Sequence, residues 1–331
     1  VKRIAVMLLS VVLLAGCGSK EPPKEAAHAP TWKDTDVSFD ANGLTVQASY
    51  RTNGQPGPAA LLLTESGPND RNGDNTVVGP VGNMRHLADA LSDNGVASLR
   101  YDKVGTGKTG LGHYQQKPTD VTGTVYTAEA TAALRFLADQ PATDDNRLSI
   151  YAVGEGAVRA MTLAGAGDPK IHSLALLQPL PNRYLDLITS RVQASATPDV
   201  LAQWQAAVEQ IRTTGTLPAK LPEGLSAMVN PANLKAIIEA DAIDPVKLAA
   251  ALPAGMPVLL TCSDADKQAT CAAEQPLIDA LRHTALTVVD LKGVNHVLRD
   301  DPTDSIANYG KPGPLSPQLL DALTKFVSAG G

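Results

Sequence analysis

Apolar runs of strand length alternate with segments of helical period along most of this chain, and that order leaves few folds open. The runs are PAALLLT (58–64), VASLRY (96–101), RLSIYAV (147–153), IHSLALLQ (171–178), MPVLLTC (256–262) and LTVVDL (286–291). Helical patterns cover 83–93, 128–139, a stretch from about Glu155, 271–283 and 317–327. Strands apolar throughout are buried on both faces, and strand alternating with helix gives a parallel sheet covered on both sides. Ahead of them, DVSFD (36–40) and LTVQASYR (44–51) flank Asn42-Gly43, a pair suited to a two-residue hairpin. The sheet is therefore expected to begin antiparallel. Between about 180 and 254 the alternation stops. Leu201, Trp204, Val208 and Ile211 recur at helical spacing, and prolines at 181, 198, 218, 222, 231, 245 and 253 divide the region into short helices. This reads as a helical cap inserted into an α/β fold. Trp204 serves first as the cap's own core and second as part of a lid over an acyl-sized cavity.

The N-terminal stretch gives a second expectation. Lys2 and Arg3 precede an apolar run, Ile4–Ala15, too short to span a bilayer comfortably and flanked as signal peptides are. Leu14-Ala15-Gly16-Cys17 resembles a bacterial lipobox. The resemblance implies cleavage before Cys17, lipidation of that cysteine with diacylglycerol and palmitate-like chains, and a lipid anchor in the bacterial envelope, outside the cytoplasm. Residues 18–33, polar and proline-bearing, are expected to form a flexible tether, His28 within it, with the folded domain at 34–331. The chain has 28 basic and 34 acidic residues, a net charge of −6. Nucleic acid, whose binding depends on neutralising phosphate, is thereby an unsuitable partner. The remaining cysteines, Cys262 and Cys271, stand nine positions apart; in an oxidising compartment a disulfide is the economical reading. Two buried thiols are one alternative, and a metal site with Asp264 and Asp266 another. No matching histidine or second cysteine pair accompanies them, so no metal or other cofactor is expected. No motif names a protein partner.

In an open parallel sheet the loops after the strands' carboxyl ends gather on one edge, where ligands bind. Three such loops carry polar residues in an informative order. The first is Ala152-Val153-Gly154-Glu155-Gly156, a strand-turn-helix with the small residues that a nucleophile elbow requires but with glycine where the reactive side chain should stand. The second, SDADKQ, places Asp266 just past a strand end, and the third, KGVNHVLRD, places His296 likewise. Elbow, acid, histidine is the chain order of the α/β-hydrolase triad.

With these residues in view, the chain resembles an α/β-hydrolase of the esterase, lysophospholipase and serine-aminopeptidase-like group, from about 36 to 328. TESGPNDRNGDN (64–75) is similar to that family's SGPxDRDG loop, LRYDKVGTGKTG (99–110) to its RYDKRGxGxS, and PVLLTCSDADKQ to its PVLxxxGxxDxQ. GVNHVL matches its histidine loop. The resemblance implies an α/β-hydrolase fold, Asp266 as the acid, His296 as the base, and a ligand or oxyanion loop at Ser66, Gly67, Asp70 and Arg71. The departures are Gly154 for serine, Ala152 for glycine, Val104 for arginine and Thr109 for serine.

Gly154 offers no atom for nucleophilic attack. Glycine is also the least strained occupant of such a bend, so the elbow can persist without its chemistry. Two functions remain open. The first is a non-hydrolytic envelope lipoprotein whose pocket binds a small apolar or acylated ligand. The second is an ester or peptide hydrolase that uses His296 and Asp266 with activated water or a displaced nucleophile. Glu155 is read first as stabilising a helix N terminus, then as a group that assists water or grips a cation. Ser66 and Ser263 are read first as turn residues. Asp70, Arg71 and Asp74 read first as loop organisers, and His86, His113, His172 and His283 as surface or packing residues.

Overall fold

The computed structural model describes residues 31–222 and 224–331; the expected signal segment, Cys17 and nearly all of the expected tether lie outside them. Eight strands form one sheet in the order β1-β2-β4-β3-β5-β6-β7-β8. They are β1 (Lys33–Ala41), β2 (Leu44–Thr52), β3 (Gly57–Leu63), β4 (Ala97–Tyr101), β5 (Thr143–Val153), β6 (Ser173–Leu177), β7 (Pro257–Ser263) and β8 (Ala285–Leu291). β1 and β2 form the antiparallel hairpin, turning at Asn42 and Gly43, both at positive φ. β2 pairs antiparallel with β4, and every later pairing is parallel.

The apolar run of β3 shows why such a strand is central. Leu61 and Leu63 point into one hydrophobic cluster with α2 (Gly123–Ala138) and α3 (Gly156–Ala166). Ala60 and Leu62 point into another with α1 (Asn83–Asp93) and the C-terminal helix Pro317–Ser328. The period of two thus divides one strand between two cores. Helices at Tyr184–Ser195, Pro198–Thr214, Leu234–Ala242 and Pro245–Ala250 occupy the region read as a cap. Most of the cap has a third core of its own, with Trp204 fully buried in it and its indole N–H donating to Thr189 Oγ1 at 2.9 Å. Asp241 ties the cap together, accepting from Arg183 at 2.9 Å and Arg212 at 2.8 Å. The four hydrophobic clusters found among the described residues, the cap's included, all lie within the one compact unit Trp32–Gly331, which therefore carries its own cores.

Several boundaries differ from the periodic reading. α2 begins at Gly123, five positions before the expected Ala128, its first turn held by Glu239 from the cap, which accepts from Thr124 N and Oγ1. The helix expected over 271–283 is regular only at Gln275–Ala280. Cys271 is tied to Cys262 at the end of β7, closing the loop that carries Asp266. Among the described residues no helix is long and apolar enough to cross a membrane.

Candidate active site

The bend after β5 is a sharp strand-to-helix turn. Gly154 has φ +54°, and a β-carbon on Gly156 would meet the carbonyl oxygens of Leu63 and Thr64 at 2.8 Å. Glycine at 156 is therefore what lets α3 approach β3 closely, while 154 keeps the left-handed conformation that displays a side chain in such turns. Here nothing is displayed.

The loops after β7 and β8 converge on the same point. His296 Nδ1 lies 2.7 Å from Asp266 Oδ2, with both side chains buried. Asp266 is fixed in turn, its Oδ1 accepting from the backbone N–H groups of Gln268 and Ala269. A β-carbon at Gly154 would lie 3.3 Å from His296 Nε2. The acid, the ring and the empty bend thus stand in the order that a hydrolytic triad uses.

The second ring nitrogen is already engaged. Glu65, the second residue past the end of β3, places Oε2 3.1 Å from His296 Nε2. Its β-carbon would be 3.1 Å from one added at Gly154. Its carboxylate therefore occupies the place where a serine hydroxyl would meet the imidazole. Burial alone would favour a neutral ring, but hydrogen bonds and charge from Asp266 and Glu65 outweigh it and raise the His296 pKa well above its ordinary value. A ring donating from both nitrogens is an imidazolium and accepts no further proton.

A third carboxyl stands behind this pair. Glu274 is fully buried, and burial, then the charge of Asp266, push its pKa up to about 9, so it is a neutral acid at pH 7. Asp304, at positive φ, accepts from the N–H groups of both His296 and Lys267 and from the Tyr309 hydroxyl, bracing the base and acid loops together. The sequence reading missed Glu65, Glu274 and Asp304. The available signal for Glu65 was a carboxylate at the carboxyl end of a buried central strand, immediately before the SGP motif.

The other expected site residues are placed as follows. Glu155 heads α3 and pairs with Arg159 at 2.8 Å, one turn on. Ser66 is exposed and its carbonyl accepts from Asn69 at 2.6 Å; the Gly67 carbonyl accepts from Lys103 at 2.9 Å. Asp70 accepts from the N–H groups of Asn72 and Asp74 and so shapes its own loop. The Arg71 guanidinium is turned to Asp102 at 2.9 Å and to Asp36 at 3.2 Å. Neither Asp70 nor Arg71 is brought to the imidazole. Ser263 Oγ donates to the Val294 carbonyl at 2.6 Å and is committed there. His172 contacts the Gly330 carbonyl, His283 the Leu252 carbonyl, and His113 stacks on Tyr114. Cys262 and Cys271 form a disulfide. Among the described residues the one grouping with metal-ligand spacing is these two sulfurs with Asp290, and sulfurs bonded to each other are not thiolate ligands.

No protein-family model and no curated protein matches this sequence. Solved structures do match in shape. An esterase of Pyrococcus furiosus aligns with TM-score 0.55 and 15% identity, over 90% of this chain and 91% of that one. Est1E of Butyrivibrio proteoclasticus, with ferulic acid bound, aligns with TM-score 0.57 and 16% identity, over 88% and 96%. Proline iminopeptidase of Mycobacterium smegmatis aligns with TM-score 0.56 and 15% identity, over 89% and 98%. At such identities the likeness speaks for architecture alone. With its mostly parallel eight-stranded sheet, flanking helices and these neighbours, the chain has the α/β-hydrolase fold.

Proposed function

We propose that this chain is a lipid-anchored envelope protein that uses an α/β-hydrolase scaffold to bind a small apolar or acylated ligand without hydrolysing it. The observation that carries the reading is the Glu65 carboxylate on His296 Nε2, above a bend that bears no side chain. Acyl transfer needs a nucleophile, a base able to take its proton, and an acid to orient the base. The nucleophile is absent, and the base is held protonated between two carboxylates. Loss of the nucleophile alone costs such a triad roughly six orders of magnitude in turnover. Water activated by His296 fares no better, because an imidazolium does not act as a general base at neutral pH. The retained Asp266–His296 pair, which favoured a hydrolase in the sequence, is thus part of a closed ion cluster.

The place for a ligand is the space between the cap and the carboxyl edge of the sheet. It is bounded by Leu180, Leu187 and Ile243 and by the Glu155–Arg159 pair. The cleft is small, about 50 Å³, largely apolar with a few polar groups in its wall, and adjoins two larger cavities.

The test uses the folded segment 31–331 with a fluorophosphonate probe and short-chain nitrophenyl esters. No labelling and no turnover above background are expected. Stoichiometric labelling of the unaltered protein, or turnover that is lost on His296→Ala, would overturn the reading.

A further inference from the structure

Glu155 and Arg159 line three adjoining cavities, two of them walled in part by the cap and the third beside it. They differ in chemistry. The inner one is walled mainly by apolar side chains, among them Tyr184, Leu187 and Ile243. Another, of about 370 Å³, opens beside the loop after β3 and has Lys103 and Arg159 in its wall. These two cations are inside the protein: Lys103 is 9% exposed, and the Arg159 side chain 15%.

Their hydrogen bonding is incompletely answered. Lys103 Nζ donates to two carbonyl oxygens, of Glu65 and Gly67, at 2.7 and 2.9 Å, which are dipoles and not charges. Arg159 pairs with Glu155, stacks over the Tyr126 ring at 5.1 Å, and keeps its Nε–H shut from water with no acceptor. Burial, then repulsion from Arg159, pull the Lys103 pKa down to about 8, against the attraction of Glu155 and Glu65. Of the nearby carboxyls, Glu65 is turned to His296, and Glu129 is pushed up to about 8, mainly by burial, and is mostly protonated at pH 7. The wall of this cavity thus carries Lys103 and Arg159 with Glu155 as its one carboxylate, while Glu65, shared with His296, stands beside Lys103. Buried polar groups lacking partners and like charges facing a common space are costly unless something else completes them.

Building on the ligand-binding reading above, we propose that the cavities hold a single-chain amphiphile with a carboxylate head. The head lies between Lys103 and Arg159, and the alkyl chain passes the Glu155–Arg159 wall into the apolar compartment under Tyr184, Leu187 and Ile243. An anion there accepts from the Lys103 ammonium and from the Arg159 Nε–H, which has no acceptor in the protein. A neutral ester satisfies the apolar compartment but leaves the cations as they are, and an alkylamine adds a third cation.

Isothermal titration of the folded segment 31–331 with decanoate, methyl decanoate and decylamine tests this. Decanoate is expected to saturate at one per chain, methyl decanoate to bind at least tenfold more weakly, and decylamine not to bind. Arg159→Gln and, separately, Lys103→Met are expected to weaken decanoate about tenfold and methyl decanoate much less. Thermal melting of each variant verifies that it is folded, and either one alone suffices. Methyl decanoate binding as tightly as decanoate would refute the carboxylate head while leaving the apolar-ligand reading standing. Binding of none of the three, across chain lengths from octanoate to palmitate, would refute both.

Discussion

At Gly154 a new β-carbon would lie 3.1 Å from Glu65 Cβ and 3.3 Å from His296 Nε2, so restoring a hydroxyl there does not by itself restore the chemistry. Gly154→Ser is expected to remain inactive, because the imidazole still belongs to Glu65, and to lose about 1–2 kcal/mol from the positive φ. The double variant Glu65→Gly, Gly154→Ser removes the competing carboxylate along with the crowding. It is expected to turn over nitrophenyl acetate about 10²–10⁴-fold faster than Gly154→Ser alone, the range that a working base supplies. Stopped-assay rates for the two variants check this. The missing hydroxyl at 154 was plain in the sequence, since the elbow's small residues, Asp266 and His296 all sit in short motifs. Glu65 was not, because its role arises from a distance between loops far apart in the chain, which no spacing or period records.

Secondary elements show the same division. β3 and β5 were legible as unbroken apolar runs because both faces of a central strand are covered. The start of α2 was not, since Gly123-Thr124-Val125-Tyr126-Thr127 has poor intrinsic helix preference and is held by a cap residue, Glu239. At the elbow, the approach of α3 to β3 depends on Gly156. Gly156→Ala sets a methyl 2.8 Å from two backbone oxygens and is expected to destabilise by about 1–3 kcal/mol, as overpacking does, read from the urea midpoint. The cap is a largely separate packing unit around Trp204. Trp204→Ala is expected to cost it about 3–5 kcal/mol. Hydrogen exchange should then show amides of 184–250 opening while those of β3, β5 and β6 stay protected; uniform loss across both regions would mean that cap and sheet unfold as one.

For the whole molecule, the buried ionisable groups set a direction for stability against pH. Glu274 is raised to about 9 by burial and by Asp266, Glu129 to about 8 mainly by burial, and His296 is raised by its two carboxylates against the effect of burial. Each holds a proton in the fold that the unfolded chain releases. Its contribution is therefore whole below the unfolded value and is lost as pH rises through the folded one. On the acid side, Asp34 is lowered by its hydrogen bond to Arg100, and Asp301 is lowered to about 2, chiefly by the Thr303 hydroxyl. Their contributions are present above the unfolded carboxylate range and fade as pH falls through those lowered values. The melting temperature is accordingly expected to be higher at pH 5 than at pH 7.5, by scanning calorimetry. Glu274→Gln, which keeps the neutral form at all pH values, should flatten that slope. The proposed anchor has its own check: a palmitate analogue fed to bacteria should label the full chain and not Cys17→Ser.

The central claim is that the base is a charged ring clamped on both sides with nothing beside it to activate. Nitrogen-15 NMR of the histidine side chains at pH 7 reads this directly. Both Nδ1 and Nε2 of His296 are predicted to be protonated, with no titration near pH 6.5 and with a shift of the Nε2 resonance in Glu65→Gln. A neutral His296 ring at pH 7, with a bare Nε2 free to take a proton, would contradict it.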